Sequence, residues 1–599
     1  MQMRQNNRLY GRTERSRPTK PYSVTLRRLW KEMGNWRGKL FLVMVLVAVN
    51  AALGVLGPFM IGYSLDELIY QKSSISFGLL LGILGLIYLS YSLTGFLQNY
   101  FMIEVAQNTV YSMRNKLFSH LLNLPLAFFD KRQHGELMSR VTNDMDNVSS
   151  TLNSSVIQVF SSLLTLTGTF IFMLILSPLL TAVTLIVIPL MFFGMRWITN
   201  RTGKLFKEQQ KNLGELNGYI EESISGQKII KVFSQESIVM EEFLEKNRKL
   251  KESGYWAQTY SGFIPKLMNL LNNISFTIVA FAGGIFALKG LVTIGVMVSF
   301  AEYARQFTRP LHELANQFNA LLSAIAGAER VFDILDMETE EEGEKDLFDL
   351  DQINGDIRFE KVSFSYEDAK TIRNASFSIH LGETLALVGP TGAGKTTIIN
   401  LLMRFYDVDE GRIIVDGKDI DTIKRGSLRR HIGFVLQDVF LFEGSIKDNI
   451  RYGRLDATDE EVIEAAKQAN AHSFIMKLPN GYETVISQDQ NGLSQGERQL
   501  LSIARALLRN PKILILDEAT SNIDSVTELK IQEALEKLKE GRTTFVIAHR
   551  LNTILRADQI LVIDGGQIVE RGKHSDLMKK RGYYYRLYQS GLELHQYSV

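Results

Sequence analysis

The chain of 599 residues contains no cysteine. A disulfide framework and a cysteine-ligated metal site are therefore excluded, and the absence fits a reducing, cytoplasmic face without proving one. The start of the chain also lacks the features of a secretory signal. A long polar and basic stretch precedes the first apolar block, and no small-residue cleavage site follows it, so we expect no cleaved signal peptide.

A strong excess of one charge is missing as well, because the formal net charge is only +2. This balance gives no reason to expect a nucleic-acid partner. The distribution of charge carries more information. The first 39 residues hold eleven Lys or Arg against two Glu, and the sequence then turns apolar at Leu40.

Four apolar blocks with few charges occupy the first half of the chain. Residues 40–63 and 77–97 are each about 20 residues or longer, enough to cross a ~30 Å hydrocarbon layer at ~1.5 Å per residue. Residues 156–199 are about twice that length and break at Pro178, and residues 274–301 begin a fifth and a sixth span. The pattern predicts six membrane-spanning helices rather than the buried helices of a large soluble domain, with the lipid bilayer as a partner.

The connections between these blocks predict the orientation. Those after the second and fourth spans are long and rich in Lys and Arg, whereas those after the first, third and fifth are short and carry few cations. Cations accumulate on the cytoplasmic side. We therefore expect a multi-pass protein of the cell (inner) membrane with both termini in the cytoplasm. The long connections keep helical spacing, so their helices should project tens of ångströms past the bilayer.

Composition changes again at residues 336–352, an acidic stretch without periodicity that we interpret as a solvated domain boundary. Beyond it, short β-branched runs alternate with helical ones, which is typical of a parallel sheet covered by helices. The predicted division is a basic tail with an amphipathic elbow, an all-α six-helix transmembrane domain, an acidic linker and an α/β domain, at residues 1–38, 39–325, 326–354 and 355–599.

The α/β domain carries a phosphate-binding motif. Strand "TLALV" runs into "GPTGAGKTT" and then into the helical run "IINLLMRFY", which satisfies G-x-x-x-x-G-K-[ST] in the required strand, loop and helix context. The glycines let the backbone wrap a phosphate chain, while the loop amides and the helix N-terminus supply positive dipole. Lysine brings a charge to the β and γ phosphates and the next hydroxyl reaches Mg²⁺. The predicted ATP-binding loop is Gly389, Pro390, Thr391, Gly392, Ala393, Gly394, Lys395, Thr396 and Thr397.

A second motif places two adjacent carboxylates after a buried strand. The run "ILIL" ends at Asp517 and Glu518. Because open parallel sheets bind ligands at the carboxyl ends of their strands, Asp517 should lie near the phosphate loop and hold Mg²⁺. Glu518 is then placed to accept a proton from the water that attacks the γ-phosphate. A plain pair of surface acids is the alternative interpretation.

Together these motifs resemble the nucleotide-binding domain of an ATP-binding-cassette (ABC) transporter, through the phosphate loop, "LSQGE" before a helix, "ILILDEATS" and "AHR". With the predicted spans ahead and "FFDKRQHGELMSRVTNDMDNV" in the first cytoplasmic extension, the resemblance covers nearly everything from about residue 22. It is closest to one subunit of the heterodimeric bacterial multidrug-type exporters.

The resemblance implies further roles. Tyr366 matches the aromatic residue that stacks on adenine, and His549 matches the switch histidine that touches the γ-phosphate. Gln437 matches the glutamine that reaches Mg²⁺, so that the implied metal ligands are Thr396, Gln437 and Asp517. Asp524 matches the loop that crosses to a partner subunit. Residues 135–148 and 234–243 resemble the two coupling helices that dock on nucleotide domains.

The resemblance also implies that two nucleotide domains meet head to tail, each ATP lying between one chain's phosphate loop and the other chain's signature turn. That signature is usually Leu-Ser-Gly-Gly-Gln, and here it reads Leu493, Ser494, Gln495, Gly496 and Glu497. A carboxylate at ~4 Å from a polyphosphate costs on the order of 1 to 4 kcal/mol, depending on screening. Alternatively, Glu497 only stabilises the N-terminus of its own helix, worth ~0.3 to 1 kcal/mol. We favour a functional departure, and hence pairing with a different half-transporter subunit.

Cargo is the least determined property. The spans carry many aromatic residues and few charges, which is compatible with amphiphilic small molecules such as drugs or lipids. Asn50, Asn269, Asn272 and Asn273 are candidates for a polar cavity, with helix packing as an equal alternative. The predicted activity is ATP-driven export. A lipid flippase, a homodimeric exporter and an ATPase that regulates a partner without transport are the rivals.

Overall fold

The computed structural model describes residues 21–70, 76–340, 344, 347–366, 370–487, 492–517, 523–548 and 554–596. The chain forms two compact units. The first unit comprises Met1–Leu121 and Gly135–Asp336, and the second comprises Leu122–His134 and Met337–Val599.

Long helices build the first unit, as the apolar blocks predict. Six of the described helices exceed 30 residues. The helices up to residue 335 are α1 (Tyr22–Glu32), α2 (Arg37–Tyr70), α3 (Phe77–Leu122), α4 (Leu126–Asp130), α5 (His134–Ser139), α6 (Met145–Leu176), α7 (Pro178–Ser225), α8 (Gln227–Val232), α9 (Glu236–Leu288) and α10 (Ile294–Leu335).

The break predicted at Pro178 separates α6 from α7. Ser177 is extended, and its side chain accepts a hydrogen bond from the amide of Leu180 at 3.3 Å. Proline at the first helical position has no amide hydrogen to lose and its φ suits a helix, so the sequence restarts the helix at this point.

Among the described residues, four helical segments are long and apolar enough to cross a membrane by length and composition. They are Tyr22–Tyr70, Phe77–Leu122, His134–Leu176 and Glu236–Leu288. Helices α7 and α10 are as long but are not among the four. Six spans therefore remain a prediction for this unit.

Helix α10 packs one face closely on α2. A Cβ on Gly62 would lie 2.0 Å from the hydroxyl of Ser299 and 2.4 Å from the carbonyl oxygen of Gly295, so only glycine permits this approach. The buried hydroxyl of Tyr303 donates to the carbonyl oxygen of Val55 at 2.6 Å. This face of α10 is closed to lipid and solvent.

Another face of α10 carries charged residues. Glu302, Arg305 and Arg309 are exposed at i, i+3 and i+7. The guanidinium of Arg305 lies 4.8 Å from the ring centre of Phe276, and Arg309 Nε donates to Glu313 Oε1 at 2.9 Å. Ionised side chains at membrane depth rarely face lipid and mark polar pathways in most membrane proteins.

Asn50 lies between two helices. Its side-chain amide donates to the carbonyl oxygen of Tyr91 at 2.7 Å and to the hydroxyl of Thr94 at 2.9 Å, both on α3. Of the two interpretations left open by the sequence, these contacts favour helix packing over a cavity role.

We expect Asn50→Leu to lower the free energy of unfolding by about 1 kcal/mol, the usual size of an interhelical hydrogen bond in a membrane. Thermal unfolding in detergent measures this loss. The matched control is Asn269→Leu, because Asn269 is exposed on α9. Equal stability of the two variants would contradict a packing role for Asn50.

Short helices occur in both long connections that the sequence predicts to be cytoplasmic. They are α4 and α8, which lie upstream of the segments 135–148 and 234–243 predicted from the resemblance. Segment 135–148 contains most of α5, a π-helical turn at Arg140–Asp144 and the start of α6, and its role as a coupling helix stays a prediction. The segment that groups with the second unit is Leu122–His134, which we call the first turn segment.

Two sheets organise the second unit. The sequence predicts the parallel one, and the runs "TLALV" and "ILIL" form two of its strands. Its order is β12-β11-β3-β10-β9-β6, with β12 antiparallel at one edge. The strands are β3 (Thr384–Val388), β6 (Ile432–Val435), β9 (Ile513–Asp517), β10 (Thr543–Ile547), β11 (Gln559–Asp564) and β12 (Gln567–Gly572).

The antiparallel sheet has the order β2-β1-β4-β5 and was not predicted. Its strands are β1 (Ile357–Ser365), β2 (Lys370–Ile379), β4 (Glu410–Val415) and β5 (Lys418–Asp419), and a two-stranded ladder joins β7 (Gly444–Ser445) to β8 (Val485–Ile486). The helices between strands are α11 (Lys395–Leu402), α12 (Arg425–Arg430), α13 (Ile446–Arg451), α14 (Asp459–Gln468), α15 (His472–Ile475), α16 (Gln495–Arg509) and α17 (Ser525–Lys539), and His574–Lys580 and Tyr583–Gln596 end the described chain.

Helices α11 and α16 of this unit lie in different hydrophobic cores. Ile398 and Ile399 of α11 are buried among residues of β1, β2 and β3. Leu500 and Leu501 of α16 are buried in a second core with residues of α14 and α17. The helix after the phosphate loop and the helix after the signature turn therefore belong to different cores of the same unit.

The described part of the acidic linker makes specific hydrogen bonds. Helix α10 continues to Leu335, and the units divide after Asp336. Beyond this point Glu344 is buried and accepts from the backbone amide of Arg425 at 3.0 Å and from its guanidinium at 3.2 Å. The linker carboxylates thus pair with the basic helix α12.

Candidate nucleotide site

The phosphate loop joins β3 to α11 in a conformation that requires glycine. Gly392 and Gly394 have φ of +80° and +106°, which side chains rarely adopt. A Cβ on Gly389 would lie 2.1 Å from the carbonyl oxygen of Ile563, so the loop can pass β11 only without a side chain. Helix α11 then begins at Lys395, with its free amide groups at the loop.

Lys395 is held against this loop. Its buried ammonium donates to the carbonyl oxygens of Gly389 at 2.8 Å and of Pro390 at 2.9 Å. Burial lowers the pKa of Lys395, and the negative charge of Asp517 opposes that shift. The placement of both groups in one nucleotide site stays a prediction. The next residue, Thr396, is exposed.

The sheet register brings the other predicted ligands to the same edge. Ile547 of β10 pairs with Leu387 of β3 on one side and with Asp517 of β9 on the other. Val435 of β6 pairs with Leu516, and the exposed Gln437 follows two residues later. Asp517 and Gln437 thus lie at or just beyond the carboxyl ends of parallel strands, the same edge of the sheet from which the loop leaves β3, and their oxygen groups are of the kind that suits Mg²⁺.

Two predicted residues lie outside the described part of the chain. Glu518 follows β9 directly, and His549 follows Ala548 after β10. Their assignment as general base and switch histidine remains a prediction.

Tyr366 lies at the end of β1 and is partly exposed. Its hydroxyl accepts from the amide of Asn400 on α11 at 3.1 Å. Its ring packs edge to face on Phe364 and on Tyr406, with ring centres 4.9 Å apart in each pair. These contacts hold the Tyr366 ring beside the phosphate-loop helix, and its contact with adenine stays a prediction.

The signature turn forms a capping box at the start of α16. Ser494 Oγ accepts from the amide of Glu497 at 3.2 Å, while Glu497 Oε2 accepts from the amide of Ser494 at 2.8 Å. The same carboxylate oxygen lies 3.0 Å from Ser494 Oγ, which donates to it. This geometry gives Glu497 the helix-stabilising role that the sequence left open as an alternative.

The other residues of the turn have distinct surroundings. Leu493 packs against the core around α16, and Gln495 is half-buried. A Cβ on Gly496 would lie 2.4 Å from Thr527 Cγ2, so this glycine lets α16 approach α17. Asp524 caps α17 by accepting from the amide of Thr527 at 2.9 Å, and this hydrogen bond lowers the pKa of the Asp524 carboxyl.

The sequence reasoning missed Tyr406. It assigned "IINLLMRFY" to one helix, whereas α11 ends at Leu402 and Arg404 has a left-handed φ of +52°. Tyr406 therefore leaves the helix axis and meets Tyr366. No propensity signal in "MRFYD" distinguishes this exit from one more helical turn.

The fold and the site define a membrane-embedded P-loop ATPase. The family described as ABC transporter transmembrane region matches residues 40–311, and the family described as ABC transporter matches residues 372–521. The chain belongs to the ABC transporters, and it joins a helical transmembrane domain of the exporter type to an ATP-binding domain that couples ATP hydrolysis to transport.

Similar proteins agree with this assignment. The chain is 59% identical to an uncharacterized ABC transporter ATP-binding protein, YfiC, of Bacillus subtilis (strain 168), over 95% of this chain and 94% of the relative. It is 44% identical to a fatty acid ABC transporter ATP-binding/permease protein of Mycobacterium bovis, over 84% and 79% of the two chains. It is 35% identical to a putative multidrug export ATP-binding/permease protein, YgaD, of Bacillus subtilis, over 92% and 97%.

Proposed function

We propose that the chain is one subunit of a heterodimeric exporter that uses ATP and Mg²⁺ to move amphiphilic small molecules across the cell membrane, with both termini in the cytoplasm. Thr396, Gln437 and Asp517 hold Mg²⁺ in this proposal, and the metal offsets negative charge on the phosphates. Lys395 binds the phosphate chain, Glu518 accepts the proton of the attacking water, and His549 contacts the γ-phosphate.

The observation that carries the pairing proposal is the placement of α11 and α16 in different cores. A phosphate loop on one core and a signature turn on the other suit two chains arranged head to tail, in which each ATP contacts both. The set Lys395, Asp517, Glu518 and His549 is complete in this chain, whereas its signature turn carries the carboxylate of Glu497. One competent site and one mainly ATP-holding site follow.

Closure of two such sites drives the transport step in this proposal. ATP binds the closed pair of nucleotide domains better than the open pair, so its binding shifts the membrane halves from inward-facing to outward-facing. Proton transfer to Glu518 during hydrolysis then allows the pair to separate. The first turn segment carries this motion because it is covalently continuous with α3 and α5.

The charged face of α10 supports an amphiphilic cargo. Glu302 and Arg305 lie about 12 and 17 Å along the helix from its start at Ile294, at ~1.5 Å per residue. Exposure of these ions to lipid costs about 2.5 to 3.5 kcal/mol each, so this face is better placed against a polar cavity. A second candidate cargo is an anionic lipid, favoured by Arg305 and Arg309 and by the name of the fatty acid relative.

The test is to purify the full chain alone and then with its candidate second subunit. We expect the chain alone to hydrolyse ATP at no more than about a tenth of the rate of the assembled pair, since each complete site needs two different chains. Size-exclusion chromatography with light scattering gives the oligomeric state. Brisk turnover by a homodimer would contradict the heterodimer.

Inverted vesicles containing the assembled transporter test the cargo. ATP-dependent accumulation of a fluorescent amphiphilic dye supports small-molecule export, and stimulation of ATPase only by fatty acids or phospholipids favours the lipid alternative. ATP hydrolysis without movement of either class identifies a regulator instead.

A further inference from the structure

Tyr406 connects the nucleotide site to the first turn segment. Its ring lies against that of Tyr366, with an interplanar angle of 88° and ring centres 4.9 Å apart. On its other side, the Tyr406 hydroxyl donates to Asp130 Oδ2, at the end of α4. One side chain therefore touches both the predicted adenine platform and the turn between α3 and α5.

Tyr406 can act only as a hydrogen-bond donor in this arrangement. Burial raises its pKa above the ordinary value for tyrosine, and the hydrogen bond to Asp130 raises it further. The phenol stays neutral at working pH, so it keeps the proton that it can donate to the carboxylate. The Asp130 side chain is exposed. Its position is therefore fixed by the hydrogen bond from Tyr406 and not by burial.

A second tie holds the other end of the same turn. The amide of Glu340 in the linker donates to the carbonyl oxygen of Asn123 at 2.9 Å, and the Glu340 carboxylate accepts from Arg429 at 2.7 and 3.1 Å. Arg429 also donates to the carbonyl oxygen of Met403 at 3.0 Å, just beyond the end of α11. These contacts to the turn run through the linker residue Glu340, whereas Tyr406 contacts both the turn and the Tyr366 ring itself.

We propose that Tyr406 is a positioning residue that transmits occupation of the adenine platform at Tyr366 to Asp130 in the first turn segment. Stacking of adenine on Tyr366 fixes the orientation of that ring. An edge-to-face partner follows the orientation of the ring it contacts, because the positive edge of one ring seeks the negative face of the other. The direction of the Tyr406 hydroxyl toward Asp130 then depends on nucleotide.

The absence of cysteine makes a direct test possible. The exposed Lys131, next to Asp130, is replaced by Cys in the full chain and labelled with bimane, an environment-sensitive fluorophore. The probe ligand is AMP-PNP, a non-hydrolysable ATP analogue, added with Mg²⁺. Affinity is measured separately through the fluorescence of trinitrophenyl-ATP.

In the labelled chain we expect AMP-PNP to change the bimane emission, and Tyr406→Phe to reduce that change about two- to tenfold, the range available to one aromatic pair and its hydrogen bond. Affinity for trinitrophenyl-ATP should stay within about twofold, since Phe keeps the ring contact. Asp130→Ala should give the same reduction, and the double variant no more than either alone.

The matched control is Tyr482→Phe, which removes a half-buried hydroxyl that lies 2.9 Å from His472 Nδ1, away from the turn. It should leave the bimane response unchanged. An undiminished bimane response in Tyr406→Phe would overturn the proposal. So would separate losses that multiply in the double variant, or a parent labelled chain that shows no response to nucleotide. A purely structural tyrosine would lower thermal stability without changing the response.

Discussion

Replacing Glu518 by Gln should leave ATP bound and slow its hydrolysis by about 10²-fold or more, the contribution typical of a positioned general base. The amide keeps the size of the side chain but cannot accept a proton from the attacking water. The remaining contacts to nucleotide, from Lys395 and the loop amides, are unaffected. ATP should therefore accumulate in the assembled transporter, which equilibrium nucleotide binding and steady-state phosphate release measure on the same preparation.

Glu460→Gln is the matched control, because it makes the same change of charge at an exposed position on α14. It should retain the parental rate. Near-normal turnover in Glu518→Gln would show that another group is the base. If both ATP binding and turnover were lost, Glu518 would contribute to nucleotide binding rather than act as the general base.

The parallel sheet and the phosphate loop could be predicted because short-range signals agree there. "ILIL" and "TLALV" are buried on both faces, and glycines stand wherever the loop needs a positive φ or a close approach. Asp517 follows from the same reasoning, since the strand ends of a parallel sheet share one edge, whereas Gln437 was implied only by the family resemblance. These predictions needed only sequence spacing and the rules of sheet topology.

The turn segments and the linker could not be predicted in the same way, because their conformation depends on distant partners. Glu344 looks like a solvated acid until Arg425 of α12, far along the chain, pairs with it. Tyr406 looks like a helical residue until Arg404 takes a left-handed φ. Helices α4 and α8 were not predicted as separate elements, since the helical pattern of these extensions is continuous.

Replacing Glu497 by Gln separates the two interpretations of the signature turn. Gln can keep the capping box, because its amide oxygen accepts from the amide of Ser494 as the carboxylate does. Only the negative charge is lost. If that charge faces ATP held by the partner subunit, its removal should tighten nucleotide binding at that site by about tenfold, equivalent to ~1.4 kcal/mol and within the range of a screened like-charge contact.

Stability should move in the opposite direction. The carboxylate interacts favourably with the N-terminus of α16, so the free energy of unfolding should fall by ~0.3 to 1 kcal/mol in Glu497→Gln. Titration of nucleotide on the assembled dimer and thermal unfolding of the same sample measure the two effects. Ser494→Ala is the comparison, because it removes the cap and the hydroxyl together and should lower both quantities.

Whether Glu497→Gln changes the affinity for nucleotide decides between the two interpretations. A capping role alone predicts a small loss of stability in Glu497→Gln with unchanged nucleotide affinity, because the carboxylate is then occupied only by Ser494. An electrostatic role toward the partner's ATP predicts tighter binding despite the weaker helix start. Unchanged affinity would therefore assign the turn a structural role and remove the basis for two unequal sites.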